Sequence, residues 1–522
     1  MIANPILRGF NPDPSIIRVE DNYYVATSTF EWFPGVQIHH SKDLKNWKLL
    51  TRPLVRQSQL EMTGCLASKG IWAPCLSYDK GVFYLIYTDV KTAFSPFMDA
   101  HNYMVTATDI MGPWSEPIYL NSSGFDPSLF HASDGRKWIA NMLFDYRPEK
   151  NTFAGIVIQE YSEDEKKLVG PIKNIFKGTT RGCTEGPHIY EYNDFYYLMV
   201  AEGGTGYTHC VSMARSKELL GEYEIDPKNP MLTSADDFNN PIQKAGHASL
   251  VQTQNGEWYL THLCGRPIKE RRCILGRETS IQKVYWDEDG WLQLKHGGHN
   301  PAILIEEPNL SEYRFDEEPV RDNFDKEKLN IHFQALRIPL SEEWVTLKDR
   351  KGYLRLYGAE SLSSHFRQSL VARRQQAFHY IAQTCVEFEP VSFQQMAGIL
   401  ALYDTENYYY LRITNTEGKK TLGIINSING LFELPIEEID ITDVARVHLR
   451  IEVNQEKLSF YYSFQEDEDF TFIGDIYDAS VLSDECCREG CFTGAFVGIC
   501  CQDMSGRRNY ADFDYFEYSE KA

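Results

Sequence analysis

The sequence GFNPDPSII at residues 9–17 contains a short motif whose core returns four more times in the first half of the chain. Counted between the first residues of successive copies, the spacings are 60, 53, 60 and 61 residues. About ten residues after each copy begins, aromatic residues such as Tyr23-Tyr24 and Trp258-Tyr259 open a second apolar segment. The five copies begin at Asp13, Ala73, Asp126, Gly186 and His247.

A motif that recurs at this spacing indicates a supersecondary unit that buries its apolar face only by stacking on its neighbours. Each copy is a short apolar segment, a turn containing Asp, Asn or Gly, and a segment rich in aromatic and β-branched residues, which is typical of paired β-strands. Five such sheets arranged radially form a β-propeller. The sequence therefore predicts a five-bladed β-propeller over residues 1–307.

The repeat stops after Glu307, and the composition changes. An acidic, proline-containing stretch at residues 308–322 is predicted to be a linker. Residues 323–522 alternate short strand patterns with turns such as Glu417-Gly418 and Asn429-Gly430, which is typical of a two-sheet β-sandwich. The predicted fold class is all-β throughout.

The repeat also predicts a site. If the motif strand is the innermost strand of each blade, its first residue and the residue before it lie near the propeller axis. Three carboxylates, an indole and an imidazole would then share one cavity. The residues at these positions are Asp13, Trp72, Asp126, Glu185 and His247. One acid of this kind is usually a turn or loop residue, but three equivalent acids are costly to bury together unless their altered pKa values are used.

Composition excludes several classes of partner. The net charge of −22 and the pI near 5.1 argue against nucleic acid or an anionic membrane as partner, because both favour basic patches. The first residues lack a secretory signal pattern, and no apolar run is long enough to span a membrane, so we expect a cytoplasmic protein. Thirty-one Tyr and nine Trp suit both packed β-structure and stacking on sugar rings.

Twelve cysteines at scattered positions fit reduced thiols better than a disulfide framework. Five of them cluster near the C-terminus: Cys486, Cys487, Cys491, Cys500 and Cys501. Their spacing contains no CxxC pair, and residues 493–501 read as a buried strand, so buried thiols are favoured over a zinc site.

A cluster of carboxyl groups suits hydrolysis of a glycosidic bond. One carboxylic acid protonates the leaving oxygen, and one carboxylate activates water on the opposite face of the sugar ring. A third carboxylate nearby would raise the pKa of the acid so that it stays protonated near neutral pH. The three acids therefore supply a base, an acid and a modulator.

At these residues the chain resembles the β-xylosidases of glycoside hydrolase family 43. Seven motifs carry the resemblance in order, and it extends through the C-terminal region. They are NPDPS at 11–15, TSTFEWFPGVQIHHSKDL at 27–44, GIWAPCLSY at 70–78, FDPSLF at 125–130, TEGPH at 184–188, AGHASLVQT at 245–253 and LGRETSIQKV at 275–284.

The resemblance implies an inverting mechanism with Asp13 as general base, Glu185 as general acid and Asp126 as the group that tunes Glu185. Inversion predicts that the carboxyl groups of Asp13 and Glu185 stand roughly 6.5–9.5 Å apart. The resemblance also implies a sugar subsite; for Phe30 and Trp72, packing is the alternative role. Its residues are Phe30, Trp72, Thr205, His247 and Arg277. Arg277 suits this role independently, since a fixed cation binds hydroxyls and lowers a neighbouring carboxyl pKa.

Two further expectations concern His247 and Phe144. No cofactor is required by this chemistry, but some similar enzymes hold calcium at the propeller axis, where His247 could act through water; an axial histidine without metal is the alternative. Phe144 stands where similar proteins often carry Trp. It can still stack on a sugar in a second subsite but lacks the indole N–H.

The expected substrates are xylo-oligosaccharides. Similar enzymes use a loop of a lectin-like sandwich to close the pocket mouth, and residues 502–509 are our candidate for it. A closed pocket predicts removal of single xylose residues from non-reducing ends. Activity on α-L-arabinofuranosides, alone or together with xylosidase activity, is the nearest alternative, and a sugar-binding propeller without turnover is a distant one. The resemblance also suggests a homodimer or homotetramer.

Overall fold

The computed structural model of the protein describes residues 1–93, 95–465, 469–488 and 491–521. Regular structure in these residues is almost entirely β-strand, with two short 3-10 turns at Lys269–Arg271 and Ala479–Val481. No helix in this part of the chain is long and apolar enough to cross a membrane. The prediction of an all-β chain, with a five-bladed propeller followed by a lectin-like sandwich, is confirmed.

Each blade is an antiparallel sheet of four strands in chain order, and blade 4 has a fifth short strand. Blade 1 contains Ser15–Val19, Asn22–Thr27, Gln37–Ser41 and Lys48–Thr51, and blade 2 contains Gly70–Asp79, Val82–Val90, Ala100–Ala107 and Ile118–Asn121. Blade 3 contains Ser128–His131, Lys137–Phe144, Phe153–Ser162 and Lys167–Phe176. Blade 4 contains Glu185–Tyr192, Phe195–Glu202, Cys210–Ser216 and Glu224–Ile225, with Leu232–Thr233 also paired to its third strand. Blade 5 contains Gln243–Gln252, Trp258–Gly265, Glu278–Trp286 and Leu292–Leu294.

The first strand of every blade lies at the centre of the ring. These strands pack against one another in the order of the blades, and the first strand of blade 1 packs against that of blade 5. Motif serines join the blades: the N–H of Leu76 donates to Ser15 Oγ at 3.0 Å, and the N–H of Ile16 donates to Ser249 Oγ at 3.1 Å. The repeated motif therefore forms the inner ring of the propeller.

The second half of the chain forms two large antiparallel sheets that share one apolar core. One sheet contains Val345–Thr346, Leu354–Tyr357, Tyr510–Glu520, His379–Phe388, Arg446–Asn454, Lys457–Ser463 and Thr471–Asp478, with Arg321–Asp322 paired to Tyr510–Glu520. The other contains Leu370–Arg374, Phe496–Asp503, Gln395–Leu402, Tyr408–Thr416, Lys419–Ile428 and Leu431–Glu433, with Ile439–Asp440 paired to Lys419–Ile428. Both predicted turns join strands of the second sheet, with φ of 52° and 83° at Glu417-Gly418 and 50° and 75° at Asn429-Gly430. Positive φ at both central residues matches the twist of a two-residue hairpin.

The two halves are joined by strand pairing as well as by apolar packing. Trp32–Phe33 of the propeller pairs with Ala335–Leu336, and the ring of Trp32 stacks on Phe496 of the sandwich at 3.7 Å between centroids. Within the propeller half, a strand pair of the same size joins Ile2–Ala3 to Leu304–Ile305. Since Arg321–Asp322 already belongs to the sandwich, it overlaps the end of the predicted linker, and the residue limits of the domains stay predictions.

Candidate active site

The backbone at the start of each motif copy is left-handed. The φ angles are 55° at Asp13, 30° at Ala73, 54° at Asp126, 57° at Gly186 and 46° at His247. L-residues rarely adopt this conformation, and it clusters at functional sites. Strand registers also shift beside three of these positions, as expected where bulges re-aim side chains. The strands therefore depart from regular alternation where they reach the axis.

One cavity receives the three acids predicted to meet. Side chains from all five blades and one side chain from the sandwich line it. The lining residues are Asp13, Phe30, Trp72, Phe125, Asp126, Glu185, Thr205, His209, His247, Arg277 and Phe492. The structure thus brings together every predicted site residue except Phe144.

Asp13 lies in a strongly cationic and hydrogen-bonded environment. Its Oδ2 accepts a hydrogen bond from Ser28 Oγ at 2.7 Å, and its Oδ1 accepts one from Arg277 Nη1 at 3.2 Å. Burial acts to raise the pKa of Asp13, but the charge of Arg277 and the hydrogen bond from Ser28 act against it, and the pKa lies below its usual value. Asp13 is therefore ionised over the neutral range and can accept a proton.

The pKa values of Glu185 and Asp126 are raised, in contrast to that of Asp13. Burial raises the pKa of Glu185 well above its usual value, and the negative charges of Asp126 and Asp13 raise it further. Burial and the charge of Asp13 also raise the pKa of Asp126, while a hydrogen bond from the N–H of Gly186 to Asp126 Oδ2 at 3.0 Å opposes them. That bond fixes the peptide that follows Glu185. Glu185 is thus suited to hold a proton until a leaving group takes it.

His247 lies between Asp13 and Asp126. Its Nδ1 is 3.8 Å from Asp13 Oδ1 and 4.0 Å from Asp126 Oδ2. Burial lowers the pKa of His247 in spite of the nearby Asp13, so the ring is neutral in the working range. A Cβ atom at position 186 would come within 3.0 Å of the His247 ring, which explains glycine in that motif copy. His247 therefore packs as a neutral spacer against blade 4.

Aromatic rings form one wall of the cavity. The centroid of Trp72 is 6.1 Å from that of Phe30, 5.4 Å from that of Phe125 and 5.4 Å from that of Phe492. Phe30 is 2% exposed, and it also belongs to the apolar cluster between propeller and sandwich. Phe30 and Trp72 thus both pack and line the cavity, and their contact with a sugar stays a prediction.

The sandwich reaches the cavity through Phe492, and the assignment of residues 502–509 to this role was wrong. Phe492 contacts Phe30 and Trp72, and its carbonyl accepts a hydrogen bond from Arg277 Nη2 at 2.9 Å. Residues 502–509 instead bond within the sandwich: Gln502 Oε1 accepts from the N–H of Leu362, and Asn509 Nδ2 donates to the carbonyl of Glu389. The polar residues of this segment are typical of a loop but do not indicate which loop of the sandwich faces the cavity.

Four lining or supporting residues escaped the sequence prediction. Phe125 precedes Asp126 as Trp72 precedes Ala73, so the repeat register contained the signal for it. Ser28 and Phe492 carry no such signal. His209 lines the cavity with its Nδ1 3.1 Å from the carbonyl of Lys244, and burial lowers its pKa to about 3.

Phe144 lies beside the site. It is partly buried at the edge of the apolar cluster between blades 2, 3 and 4, which Trp72 also borders. A second subsite at Phe144 stays a prediction, as do the separation of the Asp13 and Glu185 carboxyl groups and the role of each residue in catalysis.

The cysteine cluster holds free thiols. Cys500 and Cys501 are buried in the strand Phe496–Asp503, and Cys486 and Cys487 are half-buried. The expectation of burial was wrong for Cys491, which is exposed because it precedes that strand on the segment leading to Phe492. Among the described residues, no group of three or more His, Cys, Asp or Glu side chains is arranged to hold a metal ion.

Comparison with known proteins agrees with this geometry. Residues 2–292 match glycosyl hydrolases family 43, and residues 321–519 match the beta-xylosidase C-terminal concanavalin A-like domain. The chain belongs to glycosyl hydrolase family 43. The family match spans all five blades, and the second match spans the sandwich that supplies Phe492.

Individual relatives of family 43 are similar over their whole length. The Beta-xylosidase of Bacillus subtilis (strain 168) is 50% identical over 534 residues, which cover 100% of both chains. The Xylosidase/arabinosidase 43B of Humicola insolens is 48% identical over 527 residues, which cover 99% of this chain and 97% of the relative. The crystal structure of a xylan beta-1,4-xylosidase from Bacillus halodurans C-125 superimposes with a TM-score of 0.99 at 54% identity, covering 100% of both chains.

Proposed function

We propose that the protein is an exo-acting, inverting β-xylosidase that removes single β-1,4-linked xylose residues from the non-reducing ends of xylo-oligosaccharides. One observation carries the proposal: a carboxyl group with a lowered pKa and a carboxyl group with a raised pKa line the same cavity. Two titratable groups whose environments move their pKa values apart identify a base and an acid. Relatives of similar length with xylosidase names support the choice of sugar.

The reaction follows from these protonation states. Glu185 donates its proton to the glycosidic oxygen as the bond from that oxygen to the anomeric carbon breaks. Asp13 takes a proton from a water molecule whose oxygen forms the new bond to the anomeric carbon from the opposite face. Asp126 holds the peptide after Glu185 and keeps the acid protonated before the step. One turnover leaves Glu185 ionised and Asp13 protonated, and exchange with solvent restores both.

Arg277 supports the base in this scheme. It holds Asp13 ionised and donates to Thr205 Oγ1 at 2.9 Å, which fixes a second polar group beside the sugar. Its bond to the carbonyl of Phe492 places the sandwich against the same side of the cavity. A pocket enclosed in this way supports removal of terminal sugars over cleavage within a chain.

The test is the anomeric form of the first product. 4-Nitrophenyl β-D-xylopyranoside, from which xylose is the only sugar released, is digested while proton NMR spectra are recorded before mutarotation equilibrates the product, and xylotriose is digested in parallel. We expect the α-anomer of xylose to appear first, with xylose as the monosaccharide product at every stage. Early appearance of the β-anomer would contradict inversion, and release of internal fragments from longer oligosaccharides would contradict exo action.

A second activity on α-L-arabinofuranosides is favoured by one observation. The Humicola insolens relative, 48% identical, carries both activities in its name. Kinetics on the 4-nitrophenyl β-D-xylopyranoside and the 4-nitrophenyl α-L-arabinofuranoside separate the possibilities. We expect the higher kcat/KM on the xyloside; turnover of the arabinofuranoside alone would reverse the assignment. A sugar-binding propeller without turnover is disfavoured, because a lectin gains little from burying acids with separated pKa values.

We further propose that catalysis needs no metal ion. Calcium prefers six to eight oxygen ligands. The charged oxygens near His247 are those of Asp13 and Asp126, which the reaction uses, so these residues do not fit a direct calcium site. We expect full activity after dialysis against EDTA; loss that calcium restores would place an ion in the mechanism.

The assembly and location of the enzyme are proposals of the same kind. Twelve free cysteines support a reducing, cytoplasmic location. A homodimer or homotetramer is proposed from family resemblance. Light scattering after size-exclusion chromatography tests the assembly, and cell fractionation tests the location; a monomer or a secreted protein would overturn the respective proposal.

A further inference from the structure

Ser68 is a fully buried serine behind the aromatic wall of the cavity. Each of its three polar groups makes a hydrogen bond. Its N–H donates to Glu31 Oε2 at 3.0 Å, its carbonyl accepts from the indole N–H of Trp72 at 3.0 Å, and its Oγ accepts from the N–H of Phe492 at 3.3 Å. One residue therefore bonds to the indole ring of Trp72 and to the backbone of Phe492, and the rings of both line the pocket.

Glu31 extends this set of contacts to the third ring, Phe30, which precedes it in sequence. Phe30 is fixed by two backbone hydrogen bonds to Ile71, of 3.0 and 3.1 Å. The Glu31 carbonyl accepts from the N–H of Arg337 at 2.8 Å, which ties the same residue to the sandwich. Glu31 is only 1% exposed. Burial raises the pKa of Glu31 to about 7 although the charge of Arg337 opposes it. A buried carboxyl group is retained at a cost, so its contact with Ser68 needs an explanation.

We propose that Ser68 and Glu31 are positioning residues that set the spacing of Phe30, Trp72 and Phe492 and so determine how tightly the terminal sugar is held. This inference rests on the proposed function of the cavity. The two residues touch neither the reacting atoms nor the sugar. Their effect passes through the aromatic wall.

The chemistry of the contacts supports this role. The backbone bridge between Phe30 and Ile71 fixes Phe30 relative to Trp72. Phe492 belongs to the sandwich, and none of the strand pairs among the described residues ties it to either ring. Without Ser68 Oγ, the buried N–H of Phe492 loses a partner, and the segment must shift or accept the cost of desolvation. A shift of the wall changes sugar contacts, while Asp13 keeps its bond from Ser28 and the peptide after Glu185 keeps its bond to Asp126.

The sandwich side repeats the arrangement. The N–H of Thr493 donates to Tyr403 OH at 3.3 Å, and Tyr403 OH donates to Asp484 Oδ1 at 2.6 Å. The segment that carries Phe492 is thus held on one side by Ser68 and Glu31 and on the other by Tyr403 and Asp484. The second contact offers an independent way to loosen the same ring.

The experiment compares Ser68→Ala with wild type on 4-nitrophenyl β-D-xylopyranoside. Loss of one hydrogen bond is expected to raise KM about fivefold, with kcat within about twofold because the acid and the base are untouched. Tyr403→Phe is expected to move KM in the same direction. Ser41→Ala is the matched control: Ser41 is also fully buried and its Oγ accepts from the N–H of Leu44 at 2.9 Å, but it lies in the third strand of blade 1, outside the cavity wall.

Two further comparisons separate positioning from general stability. In a Phe492→Ala background, the effect of Ser68→Ala on KM is expected to fall below about twofold, because the ring it positions is gone. Glu31→Ala is expected to raise KM, and Glu31→Gln to restore it, since the amide keeps an oxygen that accepts from the Ser68 N–H. A change of KM in Ser41→Ala as large as that in Ser68→Ala would overturn the proposal. So would an effect of Ser68→Ala on KM that stays undiminished when the Phe492 ring is absent. Wild-type turnover of the xyloside tests the proposed function separately.

Discussion

The guanidinium of Arg277 lies 3.2 Å from the Oδ1 of Asp13, and the same group bonds to Thr205 and to the carbonyl of Phe492. One buried cation therefore connects the predicted base to blade 4 and to the sandwich. Because a fixed positive charge stabilises an ionised carboxylate, Arg277 determines the pH at which Asp13 becomes a base. Arg277 therefore contributes both to the packing of the sandwich on the propeller and to the ionisation of Asp13.

Replacing Arg277 by Met should move the acidic limb of the pH profile. Burial raises the pKa of Asp13, and the charge of Arg277 is the main influence that lowers it. Removing this cation therefore raises the pKa of Asp13, so that activity is lost at a higher pH than in wild type as the pH falls. Arg277 also lines the cavity as a charged hydrogen-bond donor, and loss of such a bond costs about 1.5–3 kcal/mol, so we expect kcat/KM to fall by about 10- to 100-fold at neutral pH. The measurement is kcat/KM against pH on an aryl xyloside. An unchanged acidic limb would contradict the assignment of Asp13.

Replacing Asp126 by Asn should move the alkaline limb instead. The charge of Asp126 raises the pKa of Glu185, so its removal lowers that pKa, and Glu185 loses its proton at a lower pH than in wild type. The amide oxygen can still accept from the Gly186 N–H, which keeps the peptide in place. We expect the alkaline limb to shift toward lower pH while the acidic limb shifts little. A shift of both limbs by the same amount would point to structural damage.

The acid and the base can be distinguished by their leaving groups. Glu185→Gln removes the proton donor, so hydrolysis of xylobiose should slow by about 10²–10⁴-fold. An aryl xyloside with an activated leaving group needs little protonation of its glycosidic oxygen, so its rate of hydrolysis should fall much less. Asp13→Asn should slow both substrates alike, because water must be activated whatever the leaving group. Calorimetric binding of xylobiose to Asp13→Asn checks that the pocket survives; equal sensitivity of the two variants to the leaving group would reverse their roles.

The repeat in the sequence accounts for most of the fold and for the acids of the site. Its register placed Asp13, Asp126 and Glu185 on one axis because equivalent positions of a propeller converge, and the same register would have identified Phe125. Phe492 could not be found this way, since its position depends on how two domains dock over a distance of more than two hundred residues from Arg277. The local sequence of residues 502–509 likewise does not report which end of a sandwich faces its neighbour.

Gly276 tests the docking that sequence patterns could not predict. Its φ is +67°, and a Cβ atom there would lie 2.1 Å from the carbonyl oxygen of Thr493 and 2.8 Å from the Cα of Gly494. Gly276→Ala therefore pushes the sandwich segment away from the residue before Arg277. Gly297→Ala is the matched control, because Gly297 has a φ of +84° but no atom within 4 Å of such a Cβ.

Gly297→Ala should lower the free energy of unfolding by about 1–2 kcal/mol, because an L-residue is strained at positive φ. Gly276→Ala should lower it by about 1–3 kcal/mol more because of the steric conflict. Urea denaturation followed by circular dichroism measures the difference in the free energy of unfolding. Gly276→Ala should also reduce kcat/KM, because Arg277 and Phe492 are displaced together, while Gly297→Ala should keep it. Equal stability and equal activity of the two variants would mean that the sandwich does not approach the pocket where Phe492 places it.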